Sequence, residues 1–177
     1  MLEGRLVNLR IVEKEDLPLL LGWFNNIEFS GRYNPLDAQQ SKVEIEKKYD
    51  DLGSEKKWFF IEKKNGSKIG FMGQFAVRSC WEIGYVLIPS ERGNGYCTEA
   101  VQLMVDYLFL SKDIVRIQAG THPENIASQK VLEKTGFKRE GLLRKEMLCW
   151  GKWTDIYTYS ILREEWKVPK ILTKKDS

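Results

Sequence analysis

Arg92-Gly93-Asn94-Gly95-Tyr96-Cys97 is the stretch of this chain whose residue types and spacing are best suited to chemistry. An apolar run ending Val86-Leu87-Ile88-Pro89 precedes it, and a helical stripe follows it. Glycines permit positive φ and close approach of the backbone to a ligand. The first turn of a helix carries N–H groups without internal partners and a partial positive charge. With Arg92 supplying a full charge, such a turn can cradle a diphosphate. It is neither a P-loop nor a dinucleotide fingerprint, since neither GxxxxGK[ST] nor GxGxxG occurs. Taken alone, it also reads as a strand-to-helix turn that binds nothing. Cys97 has two readings, a small packed residue or a thiol activated by the helix start, and packing is the more ordinary one.

A second polar cluster follows a short strand: Thr121-His122-Pro123-Glu124-Asn125-Ile126-Ala127-Ser128. Asn125 suits a helix N-cap and Ser128 a first-turn hydroxyl. His122 is the chain's one histidine. It suits a structural or cofactor-edge role better than that of a base. The three cysteines, Cys80, Cys97 and Cys149, form no CxxC pair, so no metal site is expected.

These groups need elements to hold them. Leu6–Ile11 alternates as a strand, Lys14–Phe24 reads as a helix, and Asn25–Asp37, with Gly31 and Pro35, as a loop. Ser41 and Glu44 form a capping box for a helix to about Leu52. Trp58–Glu62 and Lys68–Val77 flank Asn65-Gly66, a hairpin signal. Trp81–Ile88 is a third strand stopped by Pro89. Apolar residues at 97, 100, 101, 104, 105 and 108 mark a buried helical face. Arg116–Thr121 is a strand, and Asn125–Thr135 a helix ended by Gly136. Leu143–Cys149 and Thr154–Leu162 are strands joined at Trp150-Gly151-Lys152. The order βααβββαβαββ predicts an α+β fold: a mixed, mainly antiparallel central sheet of about seven strands with helices on both faces.

At 177 residues the chain fits one domain, expected over residues 1–169, with 170–177 a frayed tail. Its 42% apolar content supports a core, and a net charge of +3 with interspersed signs does not point to nucleic acid. No apolar run approaches the roughly 18 residues of a membrane span. Cytoplasmic placement is the expectation.

Taken together, the two polar segments resemble the GNAT superfamily of N-acetyltransferases. Arg92–Cys97 is similar to its [QR]-x-x-G-x-[GA] signature, with Cys97 in place of Gly or Ala. Asn125-Ile126-Ala127-Ser128 followed by Lys134-Thr135-Gly136-Phe137 resembles the N-x-x-S…K-x-G-F block of the ribosomal-protein alanine/serine N-acetyltransferase branch. Leu6-Val7-Asn8-Leu9-Arg10, Gly95-Tyr96-Cys97-Thr98-Glu99-Ala100 and Trp153-Thr154-Asp155 extend the likeness along nearly the whole chain.

The resemblance implies direct, acetyl-CoA-dependent transfer to a primary amine, either a protein N-terminus or a small molecule. It implies no metal, no nucleic acid and no membrane, and a monomer or homodimer. A CoA-binding sensor without catalysis and a transferase for another acyl donor remain alternatives. By the same resemblance, Val86, Leu87 and Ile88 hold the pantetheine arm from a bulged strand. Arg92, Gly93, Asn94, Gly95, Tyr96, Cys97 and Thr98 hold the diphosphate, and Asn125 and Ser128 complete the cofactor site. Ser128 corresponds to the branch's general acid; Leu132 stands where many relatives place a tyrosine. Glu82, beside Trp81 and Ile83, is the first candidate base and Glu146 the second, although the count back from Gly151 falls nearer Met147. Trp23, Asn26, Phe29, Tyr33 and Trp153 are expected to shape the acceptor pocket, with Phe24, Asn25, Trp150 and Tyr157 nearby. Each of these aromatics has core packing as its plain alternative.

Overall fold

The computed structural model describes residues 1–36, 39–77 and 80–172. Eight strands form one sheet: β1 (Leu2–Glu3), β2 (Val7–Ile11), β3 (Lys56–Lys63), β4 (Lys68–Val77), β5 (Cys80–Leu87), β6 (Arg116–Thr121), β7 (Lys138–Cys149) and β8 (Lys152–Leu162). Their spatial order is β1-β2-β3-β4-β5-β6-β8-β7. Neighbouring strands are antiparallel except β5 and β6, which run parallel. The mixed, mainly antiparallel sheet expected from the sequence therefore forms. It has eight strands rather than about seven because Leu2 and Glu3 pair with Leu9 and Asn8.

The helices are α1 (Leu17–Phe24), α2 (Ile27–Ser30), α3 (Lys42–Asp50), α4 (Tyr96–Ser111), α5 (Ile126–Lys134) and α6 (Arg163–Trp166). Side chains alternate across β3, and the two cores divide accordingly. Phe59 and Ile61 join the larger core with Val101, Met104 and Leu108 of α4 and Leu132 of α5. Phe60 joins the smaller core on the opposite face, with Leu17 and Leu20 of α1 and Ile45 of α3. Ser41 and Glu44 make the expected capping box.

Three differences have local causes. The 25–37 loop contains the single turn α2, which Asn26 caps by accepting the Glu28 N–H at 2.9 Å; its end, Asp37, lies outside the described residues. β7 starts at Lys138, five residues before the expected Leu143. Its outer half lies on the sheet edge, exposed on both faces, so no period-2 pattern announces it. The stretch expected to fray from Lys170 is held through Leu172: the N–H groups of Lys170, Ile171 and Leu172 donate to buried Asp106, which also accepts the Trp166 indole N–H. Residues 173–177 lie outside the described residues.

Asp16, just before α1, fastens the smaller helical layer to the sheet. It accepts from Arg10 of β2 at 2.7 Å, from Lys68 of β4 at 2.8 Å and from the Glu13 N–H at 2.9 Å. Desolvation pushes its carboxyl upward, but these donors outweigh it and hold the group at about 2, below 3.8. A depressed folded pKa stabilises above the unfolded value and is lost as pH falls through the folded one. Asp16→Asn is therefore expected to cost about 2 kcal/mol at neutral pH. That deficit should shrink as pH falls from about 4 towards 2. Urea unfolding of both proteins across that range checks it.

Candidate active site

β5 and β6 make only two residue pairs, Trp81 with Ile117 and Glu82 with Gln118. Beyond them the strands diverge. β5 keeps an unbroken register with β4 as far as Gly70–Leu87, so the expected bulge in β5 is absent. The opening is a splay between parallel strands, and it leaves one edge of residues 83–87 without a strand partner. A cavity of about 730 Å³ fills the splay. Ile83 to Leu87 line one wall, and Gly120, Thr121, His122 and the start of α5 line the other. Arg92, Gly93 and Gly95 to Thr98 lie at one end, and the loop Ser30–Asn34 closes over it.

The turn has the backbone its sequence requires. Gly93 has φ 85° and Gly95 φ 81°, the left-handed region that glycine enters without strain. A Cβ at either position would meet open space, so backbone conformation, rather than crowding, is what calls for glycine here. Gly95 is the N-cap of α4, whose first-turn N–H groups lack partners within the helix.

Arg92 does more than supply charge. Its Nε donates to the Leu87 carbonyl at 3.1 Å and its Nη2 to the Phe29 carbonyl at 3.2 Å. It ties the glycine turn to the end of β5 and to α2. Asn94 is absent from the cavity lining; its amide donates to the Glu91 and Arg92 carbonyls at 3.3 and 3.4 Å and so shapes the turn from within. Ile88 likewise falls outside the lining, whereas Val86 and Leu87 are part of it. Cys97 lines the cavity, but burial pushes its thiol up to about 12 against the opposing pull of Arg92, so it behaves as a packed residue and not as a thiolate.

On the facing wall, Asn125 accepts the Ser128 N–H at 3.2 Å and caps α5 while lining the cavity. The Ser128 hydroxyl lies 3.0 Å from the Tyr85 hydroxyl. Burial raises the Tyr85 pKa well above its ordinary value, only partly offset by the Ser128 contact, so it stays protonated. His122 accepts the Glu124 N–H on Nδ1 at 3.1 Å, and its ring lies 5.2 Å from that of Tyr33. That contact uses Nδ1 as a hydrogen-bond acceptor.

The two candidate bases lie elsewhere. Glu82 accepts from Gln118 Nε2 at 2.7 Å and is not part of the lining, so proton transfer to it needs an intervening water. Glu146 is exposed and also outside the lining; Met147 lines the cavity instead. The reason is a bulge between Leu143 and Met147, with Lys145 at φ 53°, which turns Glu146 away. Among the described residues, no aspartate or glutamate lines the cavity.

Of the five residues expected to shape the acceptor pocket, only Tyr33 lines the cavity. Trp23 stacks on Phe29 at 5.0 Å and meets Phe60 edge-on, so the plain packing alternative holds for both Trp23 and Phe29. Asn26 is spent on capping, and Trp153 is exposed. Sequence reasoning passed over Tyr85 and Thr121. Both share a strand face with buried apolar residues, Ile83 and Leu87 for one and Ile117 and Ala119 for the other, so neither drew a site role of its own. Thr121 lines the cavity, but its Oγ1 is buried away from the open space and has no hydrogen-bond partner. The unpaired edge of β5 and the two left-handed glycines together fit a pantetheine arm leading to a diphosphate.

The sequence matches the acetyltransferase (GNAT) domain family over residues 6–138. It is 33% identical over 169 residues to the uncharacterized N-acetyltransferase p20 of Bacillus licheniformis, covering 90% of this chain and 94% of that one. Higher identity, 42%, is reached with the uncharacterized N-acetyltransferase YnaD of Bacillus subtilis (strain 168), but there the match spans about half of each protein, 49% of this chain and 51% of the relative. The crystal structure of a GNAT-family acetyltransferase from Bacillus anthracis superposes with a TM-score of 0.78 at 26% identity, covering 93% of this chain and 99% of that one. The ribosomal L7/L12 alpha-N-protein acetyltransferase in complex with coenzyme A shares the fold, with a TM-score of 0.80 at 21% identity over 91% and 97% of the chains.

Gly95→Trp tests the turn. The variant should lose acetyl-CoA binding in titration calorimetry while keeping its far-ultraviolet circular dichroism. Undiminished affinity would remove the turn from the binding surface.

Proposed function

The chain belongs to the GNAT acetyltransferase family, and on that premise we propose that it transfers the acetyl group of acetyl-CoA directly to a primary amine. The observation that carries the proposal is the splay. It offers an unpaired strand edge continuous with the glycine turn, and both border the same cavity as Ser128. In this reading the cofactor supplies an activated acetyl thioester when bound. The edge of β5 at Gly84–Leu87 orients the pantetheine arm, and the first-turn N–H groups of α4 neutralise the diphosphate.

The protein's contribution to rate is then mainly positioning. A neutral amine nitrogen bonds to the thioester carbon and the carbon–sulfur bond breaks. The Ser128 hydroxyl gives a proton to the departing sulfur. The amine must shed a proton, and no carboxylate among the described lining residues takes it directly. The lining instead carries Arg32, Arg92, Lys130 and Lys134, and nearby cations favour the neutral form of an amine. Water completes the transfer, with Glu82 as the carboxylate reached through it. Tyr33 and His122 form the acceptor wall, and the acceptor is a protein N-terminal amine or a small-molecule amine. The two substrates are accommodated without a metal, and the catalytic unit is a monomer or homodimer in the cytoplasm.

The direct test follows free thiol release from acetyl-CoA with a panel of peptides and small amines. Release that depends on the amine supports transfer. Binding of acetyl-CoA with no release for any acceptor favours a sensor. Glu82→Gln should leave acetyl-CoA affinity unchanged and lower turnover only a fewfold, chiefly on the acidic limb of the pH profile. A loss of about a hundredfold or more would make Glu82 the principal base.

A further inference from the structure

Ser128 stands in the first turn of α5, where the carbonyl four residues back, that of Glu124, lies before the helix. Its Oγ therefore has no back-bonding partner within the helix of the kind that Ser111 Oγ finds in the Tyr107 carbonyl at 2.6 Å near the end of α4, and it faces Tyr85 Oη across the splay at 3.0 Å. Tyr85 stands on β5 beyond the last residue paired with β6, so its hydroxyl bridges the two walls where the sheet has opened. Its ring is buried against the larger core, which fixes the oxygen's position.

We propose that Tyr85 is a positioning residue: by donating to Ser128 Oγ, it keeps the serine proton free and directed into the cavity, towards the sulfur that must receive it. Two hydroxyls in contact share one hydrogen bond, so one proton is used between them and one is left over. The phenol is the more acidic of the two hydroxyls and is assigned as the donor to Ser128 Oγ at 3.0 Å, its other acceptor in reach being the Ser128 carbonyl at 3.4 Å; the remaining proton is then the serine's. Without Tyr85, the Ser128 hydroxyl loses the partner that fixes its rotamer, and its proton is no longer held towards the cavity. This inference rests on Ser128 as the proton donor to the thiolate. The proton balance is unchanged by it: the serine proton goes to sulfur and is replaced from the proton the amine sheds, while Tyr85 keeps its own.

The test compares Tyr85→Phe, Ser128→Ala and the double variant. Acetyl-CoA affinity is read by calorimetry, and turnover is read at saturating acceptor. Tyr85→Phe should lower kcat by about ten- to a hundredfold. KM for acetyl-CoA should stay within about twofold, and the double variant should fall no lower than Ser128→Ala alone. Independent, multiplying losses, or wild-type turnover in Tyr85→Phe beside a crippled Ser128→Ala, would overturn the role of Tyr85. Wild-type turnover in Ser128→Ala would instead overturn the proton-donor reading beneath it. A polyfluorinated tyrosine at position 85 keeps the ring and hydroxyl but ionises at a lower pH. Turnover should then fall as that hydroxyl loses its proton and becomes an acceptor. A flat profile through that ionisation also counts against the proposal, whether or not Tyr85→Phe folds.

Discussion

Two parallel strands that hold together for only two residue pairs govern this molecule. From β2 to β5 and from β6 to β7 the hydrogen-bond ladder is antiparallel and extended, and backbone polar groups find their partners in it. Between β5 and β6 the ladder stops after Glu82 and Gln118. The unpaired edge beyond them lines a cavity instead of a packed core. The remaining parts follow from where the strands separate. α4 begins at the end of one and α5 at the end of the other, so both helix starts lie on the same opening. One start presents the unpartnered N–H groups of a glycine turn, and the other a cap and a hydroxyl.

Charge is distributed along this opening to suit its contents. Arg92, Lys130 and Lys134 border the cavity, as does the exposed Arg32. Two acids close by in sequence are engaged elsewhere: Glu91 with Lys63 at 2.9 Å and Glu82 with Gln118. In the proposed reaction this arrangement favours a polyanionic donor and the neutral form of an amine acceptor.

Much of the fold was legible in the sequence because its signals are local. The capping box at Ser41, the Asn65-Gly66 hairpin and the glycine after α5 are each written within four residues. The glycine turn was legible for the same reason. What escaped depends on distant partners. Arg92 could be read as a charge but not as a brace, because its acceptors include Phe29, sixty-three positions away. Tyr85 drew no reading of its own, because its partner Ser128 lies forty-three positions away. Glu146 was displaced by a bulge that no turn residue announces, and Trp23 and Phe29 face each other instead of a ligand.

The loop over the cavity is gripped almost wholly through its main chain. Arg92 takes the Phe29 carbonyl, the Trp150 indole takes the Gly31 carbonyl at 3.3 Å, the Cys149 thiol takes the Tyr33 carbonyl at 3.7 Å, and the Asn34 amide takes the Ser30 carbonyl at 2.7 Å. Carbonyls are the same whatever residue bears them. The side chains at Ser30 and Arg32 can therefore change through evolution without loosening the clamp that sets the loop's position, whereas the Tyr33 ring also packs against His122. A segment held this way keeps its place while the chemical face that it turns to the cavity is rewritten.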